Sequence, residues 1–407
     1  MDTVAIDVGS AFVGLCKWDG ETLLVRKVSA CSIAECGSDW LDCLQPRRPF
    51  QLLYRCTHAD FARETRPDVL RDWAVGHGAR GFRFLTTETA SNPVLAAARY
   101  AADRHRLGAI VCTEIGARHA TLAVQAAYGE RLAGDTIALD IGTTPDLPEL
   151  ARTLCRVITD AGIREGITDV HQLPLVCGGG AGPEIAARLA ERCQLYHVLI
   201  PAHAGTMTTI GMLMADIVLN FREGFGRAPF ELAALRAGFL RLMDRASTAI
   251  TREGYDLDNA VCRRIAELAF AGGKPGIELD CDSLADGESL LERFQAAYED
   301  RYGPGRPDAS VEICNIQVIA VVETLKPELP IPAIPVGGLK EAILSRHDAF
   351  RDLSPEGIVY EQEKLPVNHK FSGPAAVWED HTTTFIPPGW FAHRTPCGGL
   401  FLEREAR

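Results

Sequence analysis

Hydrophobic and polar positions alternate from the first residues of the chain. Thr3 to Asp7, Phe12 to Lys17 and Thr22 to Val28 are short runs separated by turn signals at Gly9-Ser10 and Asp19-Gly20. A period of two broken by glycine turns predicts a three-strand meander. A helix is expected over Pro93 to His105, where Ala and Leu recur on one face. Then the first pattern returns: a strand over Gly108 to Glu114, a turn at Ile115-Gly116-Ala117, a strand over His119 to Ala126, a connection from Tyr128 to Gly134, and a strand over Thr136 to Asp140. The recurrence predicts an internally duplicated α/β unit.

Past Asp140 the pattern is mixed. Helices are expected at Leu147 to Ala161, Glu184 to Cys193, Gly205 to Leu219, Pro229 to Glu253 and Leu290 to Tyr302, and strands at Leu173 to Cys177, Leu195 to Ile200 and Gly276 to Cys281. Prolines from Pro327 to Pro335 mark a boundary, and Val359 to Leu402 reads as β-like. This divides the chain into an N-terminal α/β lobe (1–90), a second α/β lobe with a helical insertion (91–330) and a C-terminal β-rich region (331–407).

Composition narrows the function classes. The 407 residues are 47% hydrophobic and 24% charged, the balance of an ordinary globular chain, and the net charge of −12 offers no basic face to a nucleic acid. The longest uncharged stretch, Gln194 to Ala215, contains His197, Pro201, His203, Gly205 and three threonines, so it reads as buried loop plus helix and no membrane partner is expected. Asp2 stands where a signal peptide would carry positive charge, and the expected compartment is the cytoplasm. Thirteen scattered cysteines without a Cys-x-x-Cys pair predict reduced thiols. Cys31, Cys36, Cys43 and Cys56 near His58 could supply soft metal ligands, yet they lack the two-residue spacing that closes neighbouring thiolates on a zinc.

Four segments carry candidate chemistry. Asp7-Val8-Gly9-Ser10 ends the first strand as the phosphate hairpin of actin-like ATPases does: the carboxylate orients magnesium and the turn amides, at Gly9 and Ser10, hold phosphate. The second hairpin, with Glu114 and Gly116, is where the opposite grip belongs, but it has Glu in place of Asp and Ala117 and Arg118 where small hydroxyl or glycine residues are expected, so the grip reads as damaged. Asp140-Ile141-Gly142-Thr143-Thr144 is a rival loop that runs into a helix, and Asp140 is read either as a cleft carboxylate or as a helix cap. Gly178, Gly179, Gly180 and Gly182 follow an apolar strand and open a helix, which leaves room for a flat group on the backbone; the alternative is a turn chosen for packing.

The run Cys177 to Pro183, then Ile200-Pro201-Ala202-His203-Ala204-Gly205, Gly211 to Asp216, Ser372-Gly373-Pro374, Thr382-Thr383-Thr384 and Pro387-Pro388-Gly389-Trp390, resembles the hydantoinase A/oxoprolinase family. The resemblance implies an α/β fold of two actin-like ATPase (ribonuclease H-like) lobes with a C-terminal β-rich region. It implies ATP and magnesium, with Asp7 and Asp140 as catalytic and metal-ligating residues, and ATP-dependent opening of a cyclic amide such as a hydantoin or 5-oxoproline. A small-molecule substrate and a hydantoinase-B-type subunit or a homo-oligomer are the implied partners, the latter through an exposed aromatic stretch, Phe385 to Phe391. Asp7→Ala is then expected to remove turnover and leave folding intact. The alternative is a non-catalytic structural or regulatory subunit of such an enzyme, or of an acetone- or acetophenone-carboxylase-like complex.

Overall fold

The computed structural model describes residues 2–8, 12–29, 33–56, 67–84, 92–116, 119–126, 131–139, 146–165, 167, 169–252, 255, 258, 260–272, 276–282, 287–303, 309–324, 326–331, 333–347, 357–380 and 382–404. They form two compact units, one from the described residues of 1–88, 92–215 and 326–407, the other from those of 216–325.

The first unit opens with β1 (Asp2–Val8), β2 (Phe12–Trp18) and β3 (Leu23–Ser29), followed by α1 (Ile33–Leu44), β4 (Phe50–Cys56), α2 (Pro67–Gly76) and β5 (Ala79–Phe84). The expected meander is present: β1, β2 and β3 pair antiparallel, and β4 and β5 continue the sheet in parallel, in the order β3-β2-β1-β4-β5. Alternation sorts β1 by face. Val4, Ile6 and Val8 enter a core with Trp40, Leu44 and Leu70, while Ala5 faces the other way.

The pattern then repeats with α3 (Pro93–Arg104), β6 (Ile110–Ile115), β7 (His119–Gln125), β8 (Arg131–Ala138), α4 (Leu147–Glu165), β9 (Leu175–Gly178), α5 (Gly182–Arg192), β10 (His197–Ile200) and α6 (Met207–Met214). Strand order β10-β9-β6-β7-β8 reproduces β5-β4-β1-β2-β3 with the same parallel and antiparallel pairings, so the duplication legible in the pattern is a duplication of topology. Asn92 starts α3 by accepting the Val94 N–H at 2.9 Å, with Pro93 in the first turn. One face of β6 and β9 meets α3 through Ile110, Cys112 and Val176, and α6 covers Ala5, Cys16 and Leu53 of the first sheet. Helices α3 and α6 touch where Gly211 lies against Pro93.

In the second unit, β11 (Ile217–Pro229), α7 (Leu232–Arg252), β12 (Ala260–Phe270), β13 (Ile277–Asp280), α8 (Gly287–Tyr302) and β14 (Val311–Val322) build an antiparallel sheet ordered β11-β14-β12-β13. Leu235, Phe239 and Leu242 of α7 and Phe294 and Tyr298 of α8 share a core with Ile313, Ile316 and Val318. Here the expectations need correction. The helix expected over Gly205 to Leu219 ends at Met214, and Ile217 starts a long strand beyond Asp216, because the short apolar groups on either side of that aspartate show no period that tells helix from strand. Pro229 ends that strand, so α7 begins at Leu232 and not at Pro229.

The chain ends with β15 (Ile343–His347), β16 (Gly357–Glu361), β17 (Phe371–Ser372), β18 (Ala375–Glu379), β19 (Thr382–Ile386), β20 (Trp390–Arg394) and β21 (Leu400–Arg404). β17, β20 and β21 extend the second sheet beyond β10, and β15, β16, β18 and β19 form a fourth sheet, so the C-terminal region is β-rich as expected. Phe385, Ile386 and Trp390 are buried, and the Trp390 indole N–H donates to Glu191 Oε1 at 2.7 Å. The stretch expected to form an exposed aromatic interface is therefore core for these residues, Ile386 and Trp390 packing with residues of the second sheet and its helices. Cys36 is disulfide-bonded, against the expectation of reduced thiols, and Cys43 is a free, exposed thiol. Among the described residues no helix is long and apolar enough to cross a membrane.

Candidate functional site

Asp7 lies near the end of β1, and the parallel strand β4 places Arg55 directly beside it. Both follow the face of Ala5 and Leu53, the side covered by α6. Arg55 Nη1 donates to the two Asp7 carboxylate oxygens at 3.2 and 3.4 Å. The pair is buried, with the Arg55 side chain 6% and the Asp7 side chain 14% exposed. Burial raises the Asp7 carboxyl above the usual carboxylate range, and the guanidinium opposes that shift.

Glu114 occupies the corresponding strand end of the second sheet, on β6 and opposite Gly178 of β9. Burial pushes its carboxyl up to about 7; Arg55 lowers it and the Asp7 charge raises it, which places Glu114 within the same electrostatic cluster. The folded pKa exceeds the ordinary value of 4.5, so the native state holds this proton more tightly than the unfolded chain does. Its stability contribution is complete at low pH and is lost as pH rises from about 4.5 to about 7. Glu114→Gln removes the ionisation and should melt higher than the wild type at pH 8, with little difference near pH 4. Thermal unfolding of both proteins at the two pH values checks this; an equal difference at both would contradict it.

The glycine turn divides by role. Gly179 has φ of +91° and donates to Ala204 O at 2.8 Å, and Ala181 N–H donates to Ile115 O at 3.1 Å. A Cβ on Gly179 would stand 2.7 Å from Ile115 C, one on Gly178 2.5 Å from Met207 Sδ, and one on Gly182 3.0 Å from Cys177 Sγ. These three glycines let elements close against each other. Gly180 differs: it is exposed, and among the described residues the heavy atom near its missing Cβ is Lys27 Nζ at 3.9 Å. Thr382 Oγ1 donates to Gly180 O at 3.2 Å and so ties the turn to β19.

Lys27 projects from β3, its ammonium 4.5 Å from the centroid of the Phe12 ring. Partial burial lowers its pKa while the Glu379 carboxylate raises it. Glu379, at the end of β18, accepts the backbone N–H of His203 at 2.9 Å, and its buried Oε2 has no hydrogen-bond partner among the described residues. Burial pushes that carboxyl up to about 7.

Asp7, Glu114, Gly116, Gly178, Gly179, Gly180 and Gly182 therefore gather where the strands of the two sheets end, with Gly116 N–H closing the β6–β7 hairpin onto His119 O at 3.0 Å. Gly9, Ser10 and Asp140 lie outside the described residues. Arg55, Lys27 and Glu379 were not anticipated. Arg55 ends an apolar run from Phe50, which was the available signal; Lys27 and Glu379 needed the three-dimensional pairing.

The surroundings of Asp7 do not fit magnesium. A hard cation needs free carboxylate oxygens, and both face the Arg55 guanidinium. Among the described residues no group of three His, Cys, Asp or Glu side chains could hold a metal. Gly180, an open backbone position beside a cation at the start of a helix, does fit a phosphate-bearing ligand.

Residues 147–220 match the hydantoinase/oxoprolinase model, and residues 230–394 match that of the hydantoinase/oxoprolinase C-terminal domain. Caprolactamase subunit alpha of Pseudomonas jessenii is 25% identical over 258 residues, covering 58% of this chain and 36% of that protein. 5-Oxoprolinase 1 of Arabidopsis thaliana is 25% identical over 260 residues, covering 62% of this chain and 20% of that protein. The chain thus spans about a third or less of the length of these two curated relatives. The structure of nucleotide-free acetone carboxylase superposes with a TM-score of 0.67 at 13% identity, covering 99% of each chain. The fold is that of the actin-like ATPases. Two models of one family together match more than half of the residues, and the chain belongs to the hydantoinase/oxoprolinase family.

Proposed function

We propose that this chain is the ATP-binding subunit of a hydantoinase/oxoprolinase-type enzyme that opens a cyclic amide of the hydantoin or 5-oxoproline class. The observation that carries this reading is the meeting of three strand ends, β1 with Asp7, β6 with Glu114 and β9 with the glycine turn, near an open glycine beside a lysine. Two hairpins from a duplicated fold hold a phosphate chain from opposite sides, and a helix N-terminus adds N–H groups directed at its charge. The chemistry that a bound ATP supplies is phosphorylation of the amide oxygen, which makes a weak electrophile reactive.

In this reading Lys27 holds the phosphate oxygens over Gly180. Glu114, poised near neutrality, accepts or returns a proton, and Thr382 fixes the turn through its bond to Gly180 O. A hydantoinase-B-type subunit or a second copy completes the substrate side, in keeping with a relative that is itself a subunit, and the assembly works in the cytoplasm. The Asp7–Arg55 pair favours a second reading, a non-catalytic subunit that binds nucleotide without turning it over, because the acidic group is already neutralised.

Calorimetric titration of ATP tests the reading. Lys27→Met keeps an apolar stem on Phe12 and removes the charge. It should weaken ATP binding by about tenfold or more, the loss of one charge-assisted bond. Unchanged affinity would remove Lys27 from the site, and binding without hydrolysis, with the partner subunit present, would select the second reading.

A further inference from the structure

We propose that Arg55 stands in for the divalent cation at Asp7, so that this cleft takes its anionic ligand free of magnesium. The inference rests on the nucleotide reading only for the identity of the anion; the exclusion of metal is a property of the pair itself. Three observations carry it. Parallel pairing of β1 and β4 sets Asp7 and Arg55 side by side, so the contact is built by backbone register and does not depend on a chance rotamer. Arg55 Nη1 bridges both carboxylate oxygens, the atoms that a hard cation would need. Arg55 is 5% exposed, its Nε has no hydrogen-bond partner among the described residues, and its contact to the Asp7 carboxylate holds the guanidinium at the strand end.

A guanidinium keeps its charge at every pH a protein survives and delivers it through fixed N–H directions. It therefore does continuously what a bound magnesium ion does on loan: it neutralises the Asp7 carboxylate at the strand end. Magnesium demands near-octahedral oxygen coordination and gives up water reluctantly, so displacing a buried guanidinium from both oxygens of one carboxylate is unfavourable. The anion that approaches the open face of Gly180 then meets Lys27 Nζ as its counter-charge, without an ion between.

The test uses Mn2+ alone as the probe, followed by electron paramagnetic resonance of the free ion, on the full chain with no nucleotide. The wild type and Arg55→Lys, which keeps the charge, should show no binding that Asp7→Asn alters. Arg55→Gln frees the carboxylate and should bind Mn2+ about tenfold or more tighter than the wild type. Adding Asp7→Asn to it should abolish the gain. Asp7-dependent Mn2+ binding by the wild type overturns the proposal, as does a folded Arg55→Gln protein that gains no site. If Arg55→Gln does not fold, the wild type and Arg55→Lys decide alone, since the proposal requires both to be metal-free at Asp7. A parallel titration of ATP in EDTA and in magnesium separates the two claims: absence of ATP binding in either buffer refutes the nucleotide reading and leaves the Mn2+ result standing.

Discussion

Asp7→Ala is expected to destabilise the protein by about 3–5 kcal/mol, the cost of breaking one partner out of a buried ion pair. The magnitude comes from what is left behind. Arg55 remains charged and 5% exposed, and its Asp7 ion-pair partner would be gone while Nε is already unpaired among the described residues. Glu114 would not replace Asp7 without moving, because it feels Arg55 through space and makes no hydrogen bond to it among the described residues. The sequence-based expectation that Asp7→Ala leaves folding intact is thus revised by a neighbour on β4. Asp7→Asn keeps an acceptor and should cost less. Asp7→Ala combined with Arg55→Met should regain most of the loss, because two apolar groups leave no buried charge. Urea unfolding of the three variants measures this, and a single Asp7→Ala variant as stable as the wild type would show that the pair contributes nothing.

The second large effect is at Gly179. An alanine there is forced into a left-handed conformation at φ of +91°, which costs about 1–3 kcal/mol, and its methyl group would press on the Ile115 backbone, a further cost of about 1–3 kcal/mol. Backbone on the receiving side cannot rotate away as a side chain could. Gly180→Ala, one residue later, meets among the described residues only Lys27 Nζ at an ordinary van der Waals distance of 3.9 Å and should leave stability nearly unchanged. Equal melting temperatures for the two variants would contradict this division of the turn into a packing glycine and a ligand-facing one.

Much of this was legible in the residue pattern, for physical reasons. Alternation punctuated by Asp19-Gly20 and Ile115-Gly116 located both meanders, because a period of two has no helical reading. Glycines between an apolar strand and a helix located the turn. The second unit was harder: Ala260–Phe270 and Val311–Val322 are long strands whose pairing joins distant segments, and local periodicity says nothing about partners. The site was half visible. Asp7 and the glycines could be named because local turn chemistry marks them, whereas Arg55, Lys27 and Glu379 act only through register and packing across three sheets. The same limit hid the burial of Phe385 and Trp390.

The most direct measurement of the central claim is a titration of ATP into the wild type and into Gly180→Leu. Gly180 does not have the positive φ that strains an L residue, and among the described residues only Lys27 Nζ lies near its missing Cβ, so the variant should melt as the wild type does while its leucine fills the space above the turn. The account predicts heat of binding with the wild type and its loss with Gly180→Leu. ATP binding of equal affinity in both proteins would contradict it.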